Sequence, residues 1–563
     1  MKLSDKKISG SVILALALPF LLIVPNIALC ITEEMSFWSG AVNILLPLSV
    51  YALLMSLWRR TGVTTLLMLP FMIYAGFQIV LLYLYGGSLI AVDMFLNVVT
   101  TNPTEVGELL GNLAFAICVV VVLYVPALVT AVVLIFKKKR LTSLFARRYR
   151  RVATVATLLS CTLLDITYLI VPHYNMSREL FPVNVIGNMC RAVKRSIDVA
   201  DYPNTSAEFS YNAVNTRPTD IPEVYLLVIG ETSRGENWQL LGYDRPTNPH
   251  LSMLDSLVVF DKAVTQSNTT HKSVPMIISS LTAENFDSIG SHKSIFTAFK
   301  EAGYHTYLFS NQTRNRSYTE YFCNEADRQV YIKDSLGRYA MDHSLLPLLD
   351  EALADSLHRK KFIVMHTYGS HFNYRDRYPK EFAGFTPDNY PDANTGNRDK
   401  LINSFDNTIL YIDNFLAEAA QRLDRSGIPS AMIYTSDHGE DIFDDSRERF
   451  LHASPTPTFH QLYVPMLVWM SGEYNRQFGD SAYVNLYENR SQTISPTETV
   501  FPTMLTLAGI NTPRLDASKS LASNRFTTSP LLYITDLNEA VPVGSSGIKE
   551  QDRKLFNEKQ IKL

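Results

Sequence analysis

Two apolar runs in this chain end in residues of the kind that bind metal ions. "YLLVIG" (225–230) leads into Glu231 of "GETSR", and "AMIYTS" (431–436) leads into Asp437 and His438 of "SDHGED". Carboxylate and imidazole donors suit zinc or manganese. The competing reading makes Asp437 a helix cap and His438 a loop residue; the same strand-to-polar junction at Glu231 weighs against it. A third stretch, "TQSNTTHKSVPM" (265–276), places hydroxyls before an expected helix start. A threonine there is either an N-cap or a nucleophile whose alcohol a metal activates, with helix N–H groups receiving an anion. Residue types alone leave Thr269 and Thr270 both open. His371 in "GSHFNY" and His452 in "FLHASP" add imidazoles, with His460 further on, while His271 and Lys272 either attract an anion or lie on a solvated helix face.

These groups need a scaffold that carries them to one place. Short apolar runs at 225–230, 304–310, 361–369, 431–436 and 463–470 read as strands. Between them, "HKSVPMIISSLTA", "SIFTAFKEAG", "RDKLINSFDNTILYIDNFLAEAAQRL" and "ETVFPTMLTLAGI" read as helical. This alternation predicts a largely parallel sheet covered by helices on both faces, with ligands at the carboxyl ends of the strands. "GETSR", "TYGSH" and "TSDHGE" all follow strand ends, so they can meet in space.

Everything before about residue 172 is different. Five apolar segments, at about 11–32, 39–58, 63–90, 111–136 and 152–172, have the length needed to cross a bilayer. Lys2, Lys6 and Lys7, "WRRTG" and "KKKRLTSLFARRYRR" supply the positive charge expected of cytoplasmic segments, whereas the opposite loops carry Glu33, Glu34, Asp93, Glu105 and Glu108. Five spans therefore place the remainder outside the cytoplasm. The expected organisation is a five-helix transmembrane domain (1–172), a linker with juxtamembrane helices (173–220), an α/β extracytoplasmic domain (221–540) and a charged, peripheral tail (541–563). Asp165, inside the fifth segment, is either a functional carboxylate or a polar residue near the outer end. A net charge of −3 excludes a general nucleic-acid binder. Of five cysteines only Cys190 and Cys323 lie outside the apolar segments, which leaves room for one disulfide at most.

Taken in order, "VIGETSR", "NTTHKSVPM", "HTYGSH", "FDNTILYID", "YTSDHGE" and "FLHASP…QLYVPM" resemble the bacterial phosphoethanolamine transferases, membrane enzymes with a sulfatase-like domain of the alkaline phosphatase superfamily. The resemblance implies that Glu231, Asp437, His438 and Thr270 hold a zinc ion and that Thr270 is the nucleophile. It implies that His371 and His452 bind substrate phosphate or a second zinc, so that the cofactor is one Zn2+ or two. "DRPTNP" (244–249) matches a family signature to which no chemical role is assigned. Lipid A-modifying relatives often carry cysteines around the nucleophile and several disulfides. This chain has Ser267, Asn268 and Met276 instead.

The implied reaction uses phosphatidylethanolamine as donor, releases diacylglycerol and passes phosphoethanolamine through a phosphothreonine ester to lipid A or another lipopolysaccharide or glycan acceptor. The setting is the bacterial inner membrane with the catalytic domain in the periplasm, and no obligate protein partner is expected. The alternatives are transfer to the lipopolysaccharide core or a periplasmic glycan, a phosphoglycerol transferase of the lipoteichoic-acid-synthase type, and a non-catalytic membrane scaffold or lipid sensor. A sulfatase reaction is disfavoured, because the nucleophile segment lacks the Cys/Ser-x-Pro-x-Arg motif.

Overall fold

The computed structural model describes residues 9–33, 35–85, 89–100, 113–336 and 340–563. Lys2, Lys6, Lys7, Glu34, Glu105 and Glu108, which enter the orientation argument, lie outside the described residues, as do the first residues of the fourth apolar segment.

The chain forms two compact units, with the boundary in the C-terminal part inside the helix Val183–Ala200. In the first unit, four helical spans are long and apolar enough to cross a membrane: Gly10–Thr32, Phe37–Ser56, Ala114–Phe136 and Ser143–Ile170. The fifth expected segment is a bent pair, Thr61–Leu67 and Leu69–Tyr85, meeting at 54°. Pro70 stands at the second position of the latter helix. It lacks the N–H that would continue the ladder, which accounts for a break rather than a smooth curve. Counted as one span, the pair brings the total to five. Ile13, Phe20, Val122, Val129, Phe136, Leu158 and Leu169 are exposed, as side chains facing hydrocarbon should be. Asp165 is exposed in the last two turns of Ser143–Ile170. Residues 173–220 contain the helices Met176–Glu179, Val183–Ala200 and Tyr202–Thr205.

The second unit is built on a seven-stranded sheet: β1 Glu223–Gly230, β2 Leu257–Phe260, β3 His305–Ser310, β4 Arg328–Tyr331, β5 Lys360–His366, β6 Ser430–Ser436 and β7 Met466–Met470. Their order across the sheet is β2-β7-β6-β1-β5-β3-β4. β1 is fully buried, and its alternate residues feed two different cores: Tyr225, Leu227 and Ile229 pack on one face, Val224, Leu226 and Val228 on the other. That double burial is why the run is uninterruptedly apolar in sequence. Helices α1 Thr270–Ile277, α2 Ile295–Glu301, α3 Tyr318–Cys323 and α5 Pro496–Leu507 contribute to the first core, and α4 Arg398–Arg425 to the second through Leu401, Phe405, Ile409, Ile412 and Leu416.

The sheet is largely parallel, as expected, with one reversed strand: β7 runs antiparallel to both β6 and β2. Two edge or near-edge strands, β2 and β4, are only four residues long, too short for periodicity to reveal. The C-terminal segment is not peripheral. Its helix Glu550–Glu558 buries Phe556, and Asp552 beneath it pairs with Arg447 and accepts the N–H of Phe459 at 3.0 Å. All five cysteines are free thiols, with Cys323 buried in the second unit.

Candidate active site and metal centre

Strand register brings the candidate ligands side by side. Gly230 pairs with Ser436 in β6, and Ile229 pairs with both Thr435 and His366 in β5. Glu231 and Asp437 therefore leave adjacent strands one step beyond the same level, about 5 Å apart by strand spacing. Thr232 turns the chain away at once with φ +61, a left-handed conformation costly for a β-branched residue. The Asp437 carboxylate holds that turn by accepting the Thr232 N–H at 3.1 Å and the His438 N–H at 2.7 Å. The loop after β5 lies directly on β1: Ser370 N–H donates to Glu231 O at 2.9 Å. Gly369, at φ +53, makes this approach possible, because a Cβ there would stand 2.7 Å from Glu231 O.

Thr270 begins α1, and its hydroxyl reaches Glu231 Oε1 and His438 Nε2, each at 3.1 Å. Thr269 is the N-cap residue, and its hydroxyl is turned instead to Ser267 Oγ at 3.0 Å. His438 donates Nδ1–H to the Gly439 carbonyl at 2.9 Å, which leaves the Nε2 lone pair facing inward. That lone pair stands 3.4 Å from Glu231 Oε1 and 3.2 Å from Asp437 Oδ2, an oxygen with no hydrogen-bond partner in a fully buried side chain. Burial pushes the Asp437 carboxyl up, and burial with nearby His452 holds His438 well below the usual imidazole range. A neutral imidazole and two carboxyl groups converging around the Thr270 hydroxyl form a donor set that a cation satisfies. Glu231, His438 and His452 also offer ligand atoms within 4.8 Å of one another. The residues present thus fit a zinc ion.

A cavity of about 150 Å³ opens from this cluster and is lined by Thr270, His271, His366, His371 and His452 among others. His371 donates Nδ1–H to the Phe372 carbonyl at 2.6 Å, and burial with Arg377 and His452 keeps it well below its ordinary value. The His452 ring lies 4.2 Å from that of His438 and 6.1 Å from that of His371. Lys272 does not face the cavity; it is buried and donates to Thr535 O at 2.8 Å.

Sequence reasoning missed several residues that hold this centre. Gln312 donates to Glu231 Oε2 at 3.3 Å and to Thr367 O at 2.8 Å. His366, buried at the end of β5, is pushed down to about 4 by desolvation. Glu440 lies fully buried with Oε2 3.7 Å from His452 Nδ1. Asn268 ties the nucleophile segment to the His452 loop by donating to Ser454 O at 2.8 Å. The loops bearing Glu231 and Asp437 are joined by the buried Arg234–Asp444 pair at 2.7 Å. Arg234, Asn268, His366 and Glu440 lie inside the quoted motifs without a role assigned to them there, and Gln312 and Asp444 left no signal.

His460 is not part of the cavity. With Asp441 and Asp444 it forms a second group of potential ligands, but Arg234 and Arg398 already neutralise Asp444, while His460 bonds to Glu236. Burial lowers His460, yet the Glu236 and Asp444 carboxylates outweigh it and raise it to about 9. A raised histidine contributes stability that is fully present below its unfolded value near 6.5 and disappears as pH rises through about 9. Thermal melts of the zinc-loaded full chain should therefore lose up to about 3 kcal/mol between those limits. Glu236→Gln should flatten that dependence. An equally steep profile in the variant would show that another group is responsible.

A profile of the sulfatase family matches residues 223–510. The chain is 30% identical over 293 residues to the Kdo(2)-lipid A phosphoethanolamine 7''-transferase of Escherichia coli (strain K12), a match covering 50% of each protein. It thus spans about half the length of the curated relatives it matches. Among solved structures, the zinc complex of the periplasmic domain of EcEptC from Escherichia coli aligns at TM-score 0.53 and 25% identity, covering 59% of this chain and 96% of that one. The integral membrane lipooligosaccharide phosphoethanolamine transferase A of Neisseria meningitidis aligns at TM-score 0.71 and 21% identity over 91% of this chain and 96% of that one, a likeness of fold.

Proposed function

Because this chain belongs to the sulfatase family, we propose that it is a zinc-dependent phosphoethanolamine transferase of the bacterial inner membrane, acting in the periplasm on phosphatidylethanolamine and a lipopolysaccharide acceptor, lipid A foremost. The observation that carries this reading is the Thr270 hydroxyl, 3.1 Å from both Glu231 Oε1 and His438 Nε2 at the start of α1. An alcohol placed among metal ligands, at a helix N-terminus and beside a polar cavity, is arranged for attack on a phosphate ester.

Glu231, Asp437 and His438 would hold the zinc ion with Thr270. When bound, it supplies charge that favours ionisation of the alcohol and offsets negative charge on the phosphoryl group. Thr270 Oγ1 forms a bond to phosphorus as the bond from phosphorus to the diacylglycerol oxygen breaks. The first N–H groups of α1 orient the phosphate beside the His371 and His452 imidazoles, and His452, next to the Glu440 carboxylate, is placed to protonate the departing oxygen. Diacylglycerol leaves, and an acceptor phosphate or hydroxyl then displaces Thr270 in a second attack of the same kind. Two displacements predict ping-pong kinetics with retained configuration at phosphorus.

The test uses purified full-length protein with fluorescent phosphatidylethanolamine, then lipid A or lipopolysaccharide core as acceptor. Diacylglycerol release, followed by a lipid A product carrying added phosphoethanolamine, is expected. Product on the core alone would move the acceptor. Release from phosphatidylglycerol but not phosphatidylethanolamine would replace the donor and point to phosphoglycerol transfer.

A further inference from the structure

The cavity beside Thr270 extends along the carboxyl ends of the sheet. Past Glu231, just beyond β1, it meets His366 at the end of β5 with His371 beyond it, then Ser310 at the end of β3 with Gln312 and Asn315 beyond it, and it is also lined by Glu320 of α3 and Tyr331 of β4. We infer that this far wall is the subsite for the donor's ammonium group, with Glu320 as the counter-charge that selects ethanolamine over uncharged headgroups. The inference rests on the transferase reading and deepens it.

Length and charge both favour this assignment. α3, which carries Glu320, packs directly against α1, which carries Thr270. With phosphorus held at the Thr270 end, the O–C–C–N chain carries the nitrogen about 5 Å from it, towards that acid wall. Among the described residues lining the cavity, Glu231 and Glu320 carry the carboxylates, and Glu231 is committed to the metal end. The cavity thus has imidazoles and a helix start at one end and an acid at the other. Phosphoethanolamine is a zwitterion of matching polarity.

Glu320 is also prepared for a cation. Its Oε2 accepts the backbone N–H groups of Asn315 at 2.8 Å and Arg316 at 2.6 Å, which fixes the carboxylate. Its Oε1 is held more loosely, 3.4 Å from Asn324 Nδ2 and 3.6 Å from the half-exposed Arg314 guanidinium. Arg314 lies 4.2 Å over the Tyr331 ring and also pairs with Asp334 at 3.3 Å. A carboxylate edge next to an aromatic face is the environment an alkylammonium prefers, and one protein cation already occupies its outer side. A glycerol headgroup entering the same wall would bring no charge to the loosely held Oε1, so the site favours the headgroup that carries the matching cation.

The alternative is that Glu320 serves only to fasten the 315–316 turn. Glu320→Gln separates the two roles, since the amide oxygen can still accept both N–H groups while the charge is lost. With full-length, zinc-loaded protein, the variant should raise KM for phosphatidylethanolamine by about tenfold or more, the worth of a charged hydrogen bond, with kcat little changed. Turnover of phosphatidylglycerol should not fall, and zinc content should stay at the wild-type level. Glu320→Asp should keep the preference for phosphatidylethanolamine. A second measurement needs no variant: wild type should discriminate against N-acetylated phosphatidylethanolamine by a similar factor, and Glu320→Gln should not. Equal losses on both lipids, an unchanged KM, or wild-type indifference to N-acetylation would overturn the assignment. Failure of the wild type to release diacylglycerol from phosphatidylethanolamine would instead remove the donor reading beneath it.

Discussion

Thr270→Ala is expected to lower phosphoethanolamine transfer by about 10⁴-fold or more, the scale seen when a covalent nucleophile is deleted. The fold should survive. Thr270 is the first residue of α1 rather than its cap, and alanine is a better helix former. Its hydroxyl bonds lie within the ligand cluster, so the change removes a reacting atom and leaves the core intact. Mass spectrometry of wild-type protein incubated with phosphatidylethanolamine should find phosphoethanolamine on the peptide containing Thr270, and the variant should carry none. Thr269→Ala is the control, because that hydroxyl faces Ser267 and not the ligands. Turnover that persists in Thr270→Ala and fails in Thr269→Ala would reverse the assignment.

The second large effect concerns the metal. Chelation should abolish turnover, and so should Asp437→Asn, but the two should differ in stability. In the wild type Asp437 Oδ2 and Glu231 Oε1 crowd the inward lone pair of His438. Zinc relieves that crowding and stabilises the fold by about 4 kcal/mol when free metal exceeds Kd a thousandfold. Asparagine can keep the acceptor for the Thr232 and His438 N–H groups while discarding the buried charge. Asp437→Asn should therefore melt at or above the chelated wild type, and should gain little from added zinc. Melting temperature with and without zinc, read alongside bound metal, checks both statements. A variant that binds zinc and melts like the loaded wild type would remove Asp437 from the ligand set.

Much of this protein can be read from local pattern. Apolar runs of about twenty residues and the distribution of Lys and Arg state the membrane segments and their orientation, because a bilayer imposes length and charge rules on each segment separately. The buried strands are equally plain, since a strand covered on both faces must be apolar throughout, as β1 is. Candidate ligands are legible because Glu231, Asp437 and His438 sit just past such runs. The family motifs narrowed the hydroxyl to Thr270.

What lay beyond reach depends on contacts between distant segments. Nothing in "YVPMLVWM" states that β7 runs against its neighbours, because strand direction is decided by the connection and not by side-chain period. Nor does a charged tail announce that Phe556 will be buried or that Asp552 will receive Arg447. His460 and His452 look alike in sequence; packing gives one to Glu236 and the other to the metal cluster. Gln312 gains its place only when β3 comes to lie beside β5, two places from the strand that carries Glu231. The sequence by itself determined which segments enter the membrane, which are buried strands and which side chains could act as ligands, since each follows from the chemistry of a short window. Tertiary structure decided which of those side chains meet and what holds them, because that turns on strand order and loop closure across hundreds of residues.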